Sequence, residues 1–203
     1  MDIFTGEKLI ELIKLVGYFG VFGMVFSETG LLIGVFLPGD SLLFTAGLLA
    51  SQGFLNIYIL LPVLFVAAVI GDNVGYWFGH KMGDKIFSRQ DSKIFHKDNV
   101  LKAQKFYDKY GPMTIILSRY IPIVRTFAPL IAGVGKMEYK RFFWLDMIGC
   151  LIWSVGLTLA GFYLVKIFPG LDKYLTLVVL GIVVLSVIPP IYHYLKEKFQ
   201  VKS

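Results

Sequence analysis

The chain of 203 residues is 56% hydrophobic and only 17% charged, with a mean hydropathy of +0.70. A soluble domain carries about a quarter of its residues as charges, so this composition excludes a water-facing globular protein and points to a lipid bilayer. The net charge of +6 does not call for nucleic acid, because eight of the twenty Lys and Arg lie between Lys81 and Lys109, beside apolar segments, as expected of a cytoplasmic loop under the positive-inside rule.

Residues 1–16 carry Asp2, Glu7 and Glu11 where a cleavable signal would carry a basic region, and they read as an amphipathic N-terminal helix. The next stretch, 17–52, is apolar but is broken by Glu28 and by Gly34-Val-Phe-Leu-Pro38-Gly39-Asp40. Proline removes a backbone donor and disfavours helix at the residue before it. Non-helical backbone at membrane depth survives only inside protein or against a wet cavity. This stretch is therefore expected to form a re-entrant helical hairpin, with a pair of kinked full spans as the alternative. About 20 apolar residues cross the hydrocarbon as a helix, and 54–80 supply them, interrupted by Asp72. Gly71, Gly75 and Gly79 recur there at a spacing that suits close helix packing.

Residues 81–110 read as a basic cytoplasmic loop with a surface helix, on which Val100, Ala103, Tyr107 and Tyr110 share a face. The broken pattern returns at 111–135 in Ser118-Arg119-Tyr-Ile-Pro122-Ile-Val-Arg125-Thr-Phe-Ala-Pro129, a second expected hairpin. Two further spans follow, 138–166 with Asp146 and 173–195 with no Asp, Glu, Lys or Arg, and then a cytoplasmic tail, 196–203. Tyr76, Trp77, Trp144 and Trp153 read as interface anchors or packing residues. Cys150, the single cysteine, reads as a small buried hydrophobe. The three histidines, at 80, 96 and 193, are too scattered for a metal site, and no cofactor motif is present.

A weak internal repeat links the halves. Gly20 and Ser27-Glu28 match Gly111 and Ser118-Arg119 at the same interval, and Ala46-Gly47 matches Ala132-Gly133. Counting spans from the basic loop makes the hairpins enter from opposite faces. The expected fold is thus an all-α polytopic membrane protein with two oppositely entering re-entrant hairpins, about three full spans, surface amphipathic helices and an inverted-repeat plan. Small-residue spacing also permits self-association.

Glu28, Asp40, Asp72, Arg119, Arg125 and Asp146 lie in otherwise apolar stretches, where each charge costs about 2.5–3.5 kcal/mol at the bilayer centre. Such residues mark transport paths or mutual pairs. Arg119 and Arg125 are candidates to bind an anionic group, since guanidinium stays charged and grips phosphate with two donors. Glu28 and Asp40 are candidates to carry protons or gate the site. Static salt bridges holding the hairpins together are the competing reading. Asp72, Asn73, Ser118 and Asp146 are supporting polar groups, the aspartates being expected to hydrogen-bond the broken backbone, while Gly34, Pro38, Gly39, Pro122 and Pro129 make the breaks. No motif of a hydrolase, kinase or zinc enzyme is present, which argues against an enzyme.

From about Tyr18 to Tyr163 the chain resembles the DedA family of membrane proteins, which share the SNARE-associated or VTT domain. The resemblance rests on Glu28 with Gly34-Val-Phe-Leu-Pro-Gly-Asp40, on Gly71-Asp72-Asn73-Val-Gly-Tyr76, on Phe106-Tyr-Asp-Lys-Tyr-Gly111 and above all on Ser118 to Gly133. It departs at Asp146, where relatives often carry asparagine. The resemblance implies facing hairpins, functional roles for Glu28, Asp40, Arg119 and Arg125, and a place in the bacterial cytoplasmic membrane. It further implies lipid traffic driven by the proton motive force, with undecaprenyl phosphate as the expected substrate and phosphatidylethanolamine or another glycerophospholipid as the alternative. A proton-coupled ion or drug antiporter is the competing class.

Overall fold

The computed structural model describes residues 6–30, 39–82, 105 and 108–168, and every regular element among them is helical. Gly34 and Pro38, most of the basic segment 81–110, the span expected at 173–195 and the tail at 196–203 lie outside the described residues.

Helix α1 runs unbroken over Gly6–Gly30. The division expected between residues 16 and 17 is therefore not a helix end. Gly17, Gly20 and Gly23 each cost about 1 kcal/mol of helix propensity, but no proline falls within the helix, so no backbone donor is lost and the helix continues. Helix α2, Gly39–Ser51, carries Asp40 in its first turn, where the helix dipole favours a carboxylate. Gly53, at φ 80°, ends it, letting the Phe54 amide donate to the Leu49 carbonyl at 3.2 Å. Asn56 then starts α3, Ile57–Met82: its side-chain oxygen accepts from the Tyr58 amide at 2.9 Å, while its own amide donates to the Tyr18 hydroxyl on α1 at 2.7 Å.

The second half begins with a broken helix. A 3-10 turn at Gly111–Met113, the short helix α4 at Thr114–Leu117 and a second 3-10 turn at Ser118–Tyr120 lead to Ile121, which is extended at φ −124°, ψ 105°. Pro122 imposes that conformation on its predecessor and opens α5, Pro122–Val134, at a position where no amide proton is needed. Helix α6, Tyr139–Cys150, continues through a π-helical turn at Leu151–Val155 into α7, Gly156–Ile167.

Packing crosses between the halves. Helix α1 packs on α3 and α4 on α6, whereas α2 packs on α7 of the second half and α5 on α3 of the first. Both cross-contacts are made by paired glycines facing backbone carbonyls: Gly47 with Thr158 and Gly161 with Phe44, Gly79 with Leu130 and Gly133 with Tyr76. The two Ala-Gly pairs matched in the sequence thus hold corresponding positions. Gly71, in turn, meets Gly30 and the Thr29 hydroxyl of α1. All three glycines of the α3 stripe face neighbours, since Gly75 lies beside Pro129.

Residues Ile57–Lys81 and Tyr139–Leu164 form two helices long and apolar enough to cross a membrane, with mean hydropathies of 2.1 and 1.8. One side of each is core, with Leu60, Leu64, Ala67, Cys150 and Trp153 in a single cluster around α2. The other exposes Ile59, Val66, Ile70, Phe78, Ile148 and Leu151, a surface that suits lipid and not water. Gly47→Ala and Gly133→Ala, which force a methyl against a backbone carbonyl, are expected to lower stability by about 1–3 kcal/mol each. Gly20→Ala and Gly156→Ala, which meet nothing within 4 Å, should leave it unchanged or raise it; thermal unfolding in detergent measures both pairs.

Candidate functional site

Four acids and two arginines from both halves of the chain come together as two clusters. The first surrounds Arg119, carried by the 3-10 turn before the Pro122 break. Its Nη2 donates to Oδ2 of Asp72 on α3, to Oδ1 of Asp146 on α6 at 2.7 Å and to Sγ of Cys150 at 2.9 Å. The stem of Arg119 passes over Gly149, where a Cβ would sit 3.4 Å from Nε. All four side chains are buried. Asp72, Asp146 and Cys150 hold donor atoms within 4.8 Å of one another, a spacing a metal ion could bridge, but the permanently charged guanidinium nitrogen already contacts all three.

The second cluster surrounds Arg125, on the first turn of α5. Its Nη2 donates to Oε1 of Glu28 at 2.5 Å and its Nη1 to Oδ1 of Asp40 at 2.7 Å. Glu28 is fully buried near the end of α1, its carboxylate occupying the space a side chain at Gly39 would take. Asp40, by contrast, has a side chain 53% exposed.

Trp153 joins the clusters. Its indole Nε1 donates to Oδ1 of Asp40 at 2.7 Å, and its ring centroid lies 4.6 Å from the Arg125 guanidinium carbon and 5.7 Å from that of Arg119, within cation–π range. It sits on the π-helical turn, a local irregularity that often marks functional sites. Beside it opens a cleft of about 320 Å³ lined by Asp40, Arg119, Tyr120, Trp153 and Leu157. That volume is at the small end for ligand sites.

Four acids against two arginines leave a formal charge of −2. Several buried polar atoms have no hydrogen-bond partner among the described residues, including Nη1 of Arg119, Nε of Arg125, Oε2 of Glu28 and one oxygen each of Asp72 and Asp146. The site thus combines unused donors with unused acceptors.

Of the residues singled out in the sequence, Arg119, Arg125 and Asp40 meet at Trp153, and Glu28 is held on Arg125. Sequence reading expected Asp72 and Asp146 to hydrogen-bond broken backbone, and that is corrected here: both bind Arg119, because two carboxylates are the nearest way to compensate a buried guanidinium. Ser118 caps its own turn by donating to the Ile115 carbonyl at 3.0 Å. Asn73 faces elsewhere, donating to the Val69 carbonyl and accepting from the Tyr139 hydroxyl at 2.8 Å. The sequence marks Trp153 only as an interface anchor or packing residue and Cys150 only as a small buried hydrophobe. The helical spacing of Asp146, Cys150 and Trp153, at i, i+4 and i+7, was the signal that one face carried all three.

A VTT domain matches residues 37–163. Protein DedA of Escherichia coli strain K12 is 42% identical over 197 residues, which cover 93% of this chain and 90% of the relative. The chain belongs to the DedA family of membrane proteins. A membrane protein of Mycobacterium leprae is 41% identical over 166 residues, covering 82% of this chain and 74% of its own. The inner membrane protein YghB of Escherichia coli K12 is 30% identical over 161 residues, covering 77% and 71%. No solved structure matches the chain. Five of the six charges of the two clusters in this DedA family member fall inside the matched domain, and Glu28 precedes it.

Removing one partner of a buried ion pair costs about 3–5 kcal/mol, whereas replacing both by apolar groups is often neutral. Arg125→Met is accordingly expected to destabilise the protein strongly, by stranding Glu28. Combined Glu28→Leu/Arg125→Met should recover most of the loss, as read by the thermal unfolding midpoint in detergent.

Proposed function

We propose that this protein translocates a phosphate-bearing lipid, undecaprenyl phosphate first among them, across the cytoplasmic membrane and couples that movement to protons. The observation that supports it best is a cleft lined by Arg119, Asp40 and Trp153, with Arg125 held against the same Trp153 and Asp40, and with an unused donor on each buried arginine. Lipid phosphate crosses hydrocarbon poorly because its charge is desolvated there. Two guanidiniums near the middle of the path lower that barrier while the tail stays in lipid. A phosphate monoester is preferred over the diester of a glycerophospholipid because it offers more charge to two arginines.

The arginines are already engaged by carboxylates, so phosphate binding needs those carboxylates to let go. Protonation of Glu28 or Asp40 releases Arg125, and this is the step at which a proton gradient drives the cycle. We take the proline-containing sequences of the two expected hairpins, 17–52 and 111–135, to reach the site from opposite leaflets, with the C-terminus in the cytoplasm. The formal charge of −2 favours one competing reading, a proton-coupled cation antiporter, in which the acids and not the arginines meet the substrate.

Proteoliposomes separate the two. Native protein is expected to accelerate flipping of labelled polyprenyl phosphate more than of labelled phosphatidylethanolamine, and more with an imposed pH gradient than without it. A folded Arg119→Lys/Arg125→Lys variant should lose at least tenfold in rate, because lysine cannot present the paired donors. Cation flux without lipid movement would instead establish the antiporter.

A further inference from the structure

We propose that the indole N–H of Trp153 is itself a phosphate donor, and that the Asp40 carboxylate holds the phosphate's place until a lipid arrives. The inference rests on the lipid-phosphate reading above and adds to it a third binding residue and a built-in competitor.

Three observations carry it. First, Nε1 of Trp153 and Nη1 of Arg125 converge on a single oxygen, Oδ1 of Asp40, each at 2.7 Å. Two donors aimed at one oxygen form a ready oxyanion site, and carboxylate and phosphate oxygens are alike as acceptors for it. Second, the donors are fixed and the acceptor is not. Trp153 and Arg125 are buried, whereas Asp40 lies half out of the protein at the cleft. Third, the indole supports the guanidiniums once Asp40 leaves. Both lie within cation–π range of its ring, and Glu28 contacts the other terminal nitrogen of Arg125, Nη2, so that release of Asp40 alone leaves that carboxylate in place. The site exchanges one anion for another and never exposes an uncompensated arginine. Because an indole N–H only donates, Trp153 favours an anion over a cation at this point.

The test is equilibrium binding of farnesyl phosphate, a short prenyl monophosphate, to the purified full-length protein in detergent. Trp153→Phe keeps the aromatic face and removes the donor, and should weaken binding about tenfold, the worth of one hydrogen bond to a charged group. Asp40→Ala removes the competitor and should bind more tightly than native protein. Native-like affinity in Trp153→Phe, or no gain in Asp40→Ala, overturns the inference while binding that depends on Arg119 and Arg125 leaves the lipid-phosphate reading intact. Absence of binding by native protein and Asp40→Ala alike overturns both. A second measurement needs no change at the site. In a Trp77→Phe/Trp144→Phe protein, where Trp153 is the remaining tryptophan, farnesyl phosphate should shift its emission and farnesol should not. An unchanged emission at saturating farnesyl phosphate overturns the proposal.

Discussion

The architecture turns on a single requirement: two guanidiniums that cannot lose their charge are buried in a largely apolar helical core. Arginine stays protonated at any accessible pH, so each must be met by carboxylates, and no one helix supplies enough of them. Arg119 draws Asp72 from α3 and Asp146 from α6, while Arg125 draws Glu28 from α1 and Asp40 from α2. Four helices are thereby fixed around the break at Ile121. The glycine contacts follow from the same requirement, because helices must approach closely for short aspartate side chains to reach a common partner.

The two clusters are not equivalent. Around Arg119 every partner is sealed from solvent, and the thiol of Cys150 completes the shell. Around Arg125 one partner is sealed and the other open. A sealed pair holds a fold together, whereas a half-open one gives up its contact at lower cost, since solvent stabilises the released Asp40 carboxylate. Trp153 spans the boundary between the two clusters.

Sequence made the charges legible because an ionised residue inside an apolar run is costly wherever it falls, so its presence alone is a signal. Pro122 likewise announced the break at Ile121, since the clash that extends the preceding residue is local. Pairing was not legible in the same way. Asp72 meets Arg119 across 47 positions, and Glu28 meets Arg125 across 97, distances over which no periodicity carries information. The continuity of α1 through residue 17 was missed because a change in polarity was taken for a change in conformation. The π-helical turn leaves no mark in composition at all, and with it Trp153 passed as an ordinary packing residue. Tryptophan in a membrane segment is so often an anchor that its hydrogen-bonding partner, 113 positions away, gave no local hint.

The crossing of helices between the halves also sets an order of events during synthesis. Helix α2 finds its packing surface on α7, and Asp40 finds Trp153 113 residues later in the chain. At ribosomal rates that interval is on the order of ten seconds, far longer than a helix takes to form. For that time Glu28 and Asp40 have no arginine to meet, and the glycine face of α2 has nothing to pack against. Glu28 and Asp40 therefore gain their charged partner only once Arg125 has followed, and α2 gains its packing surface only once α7 has.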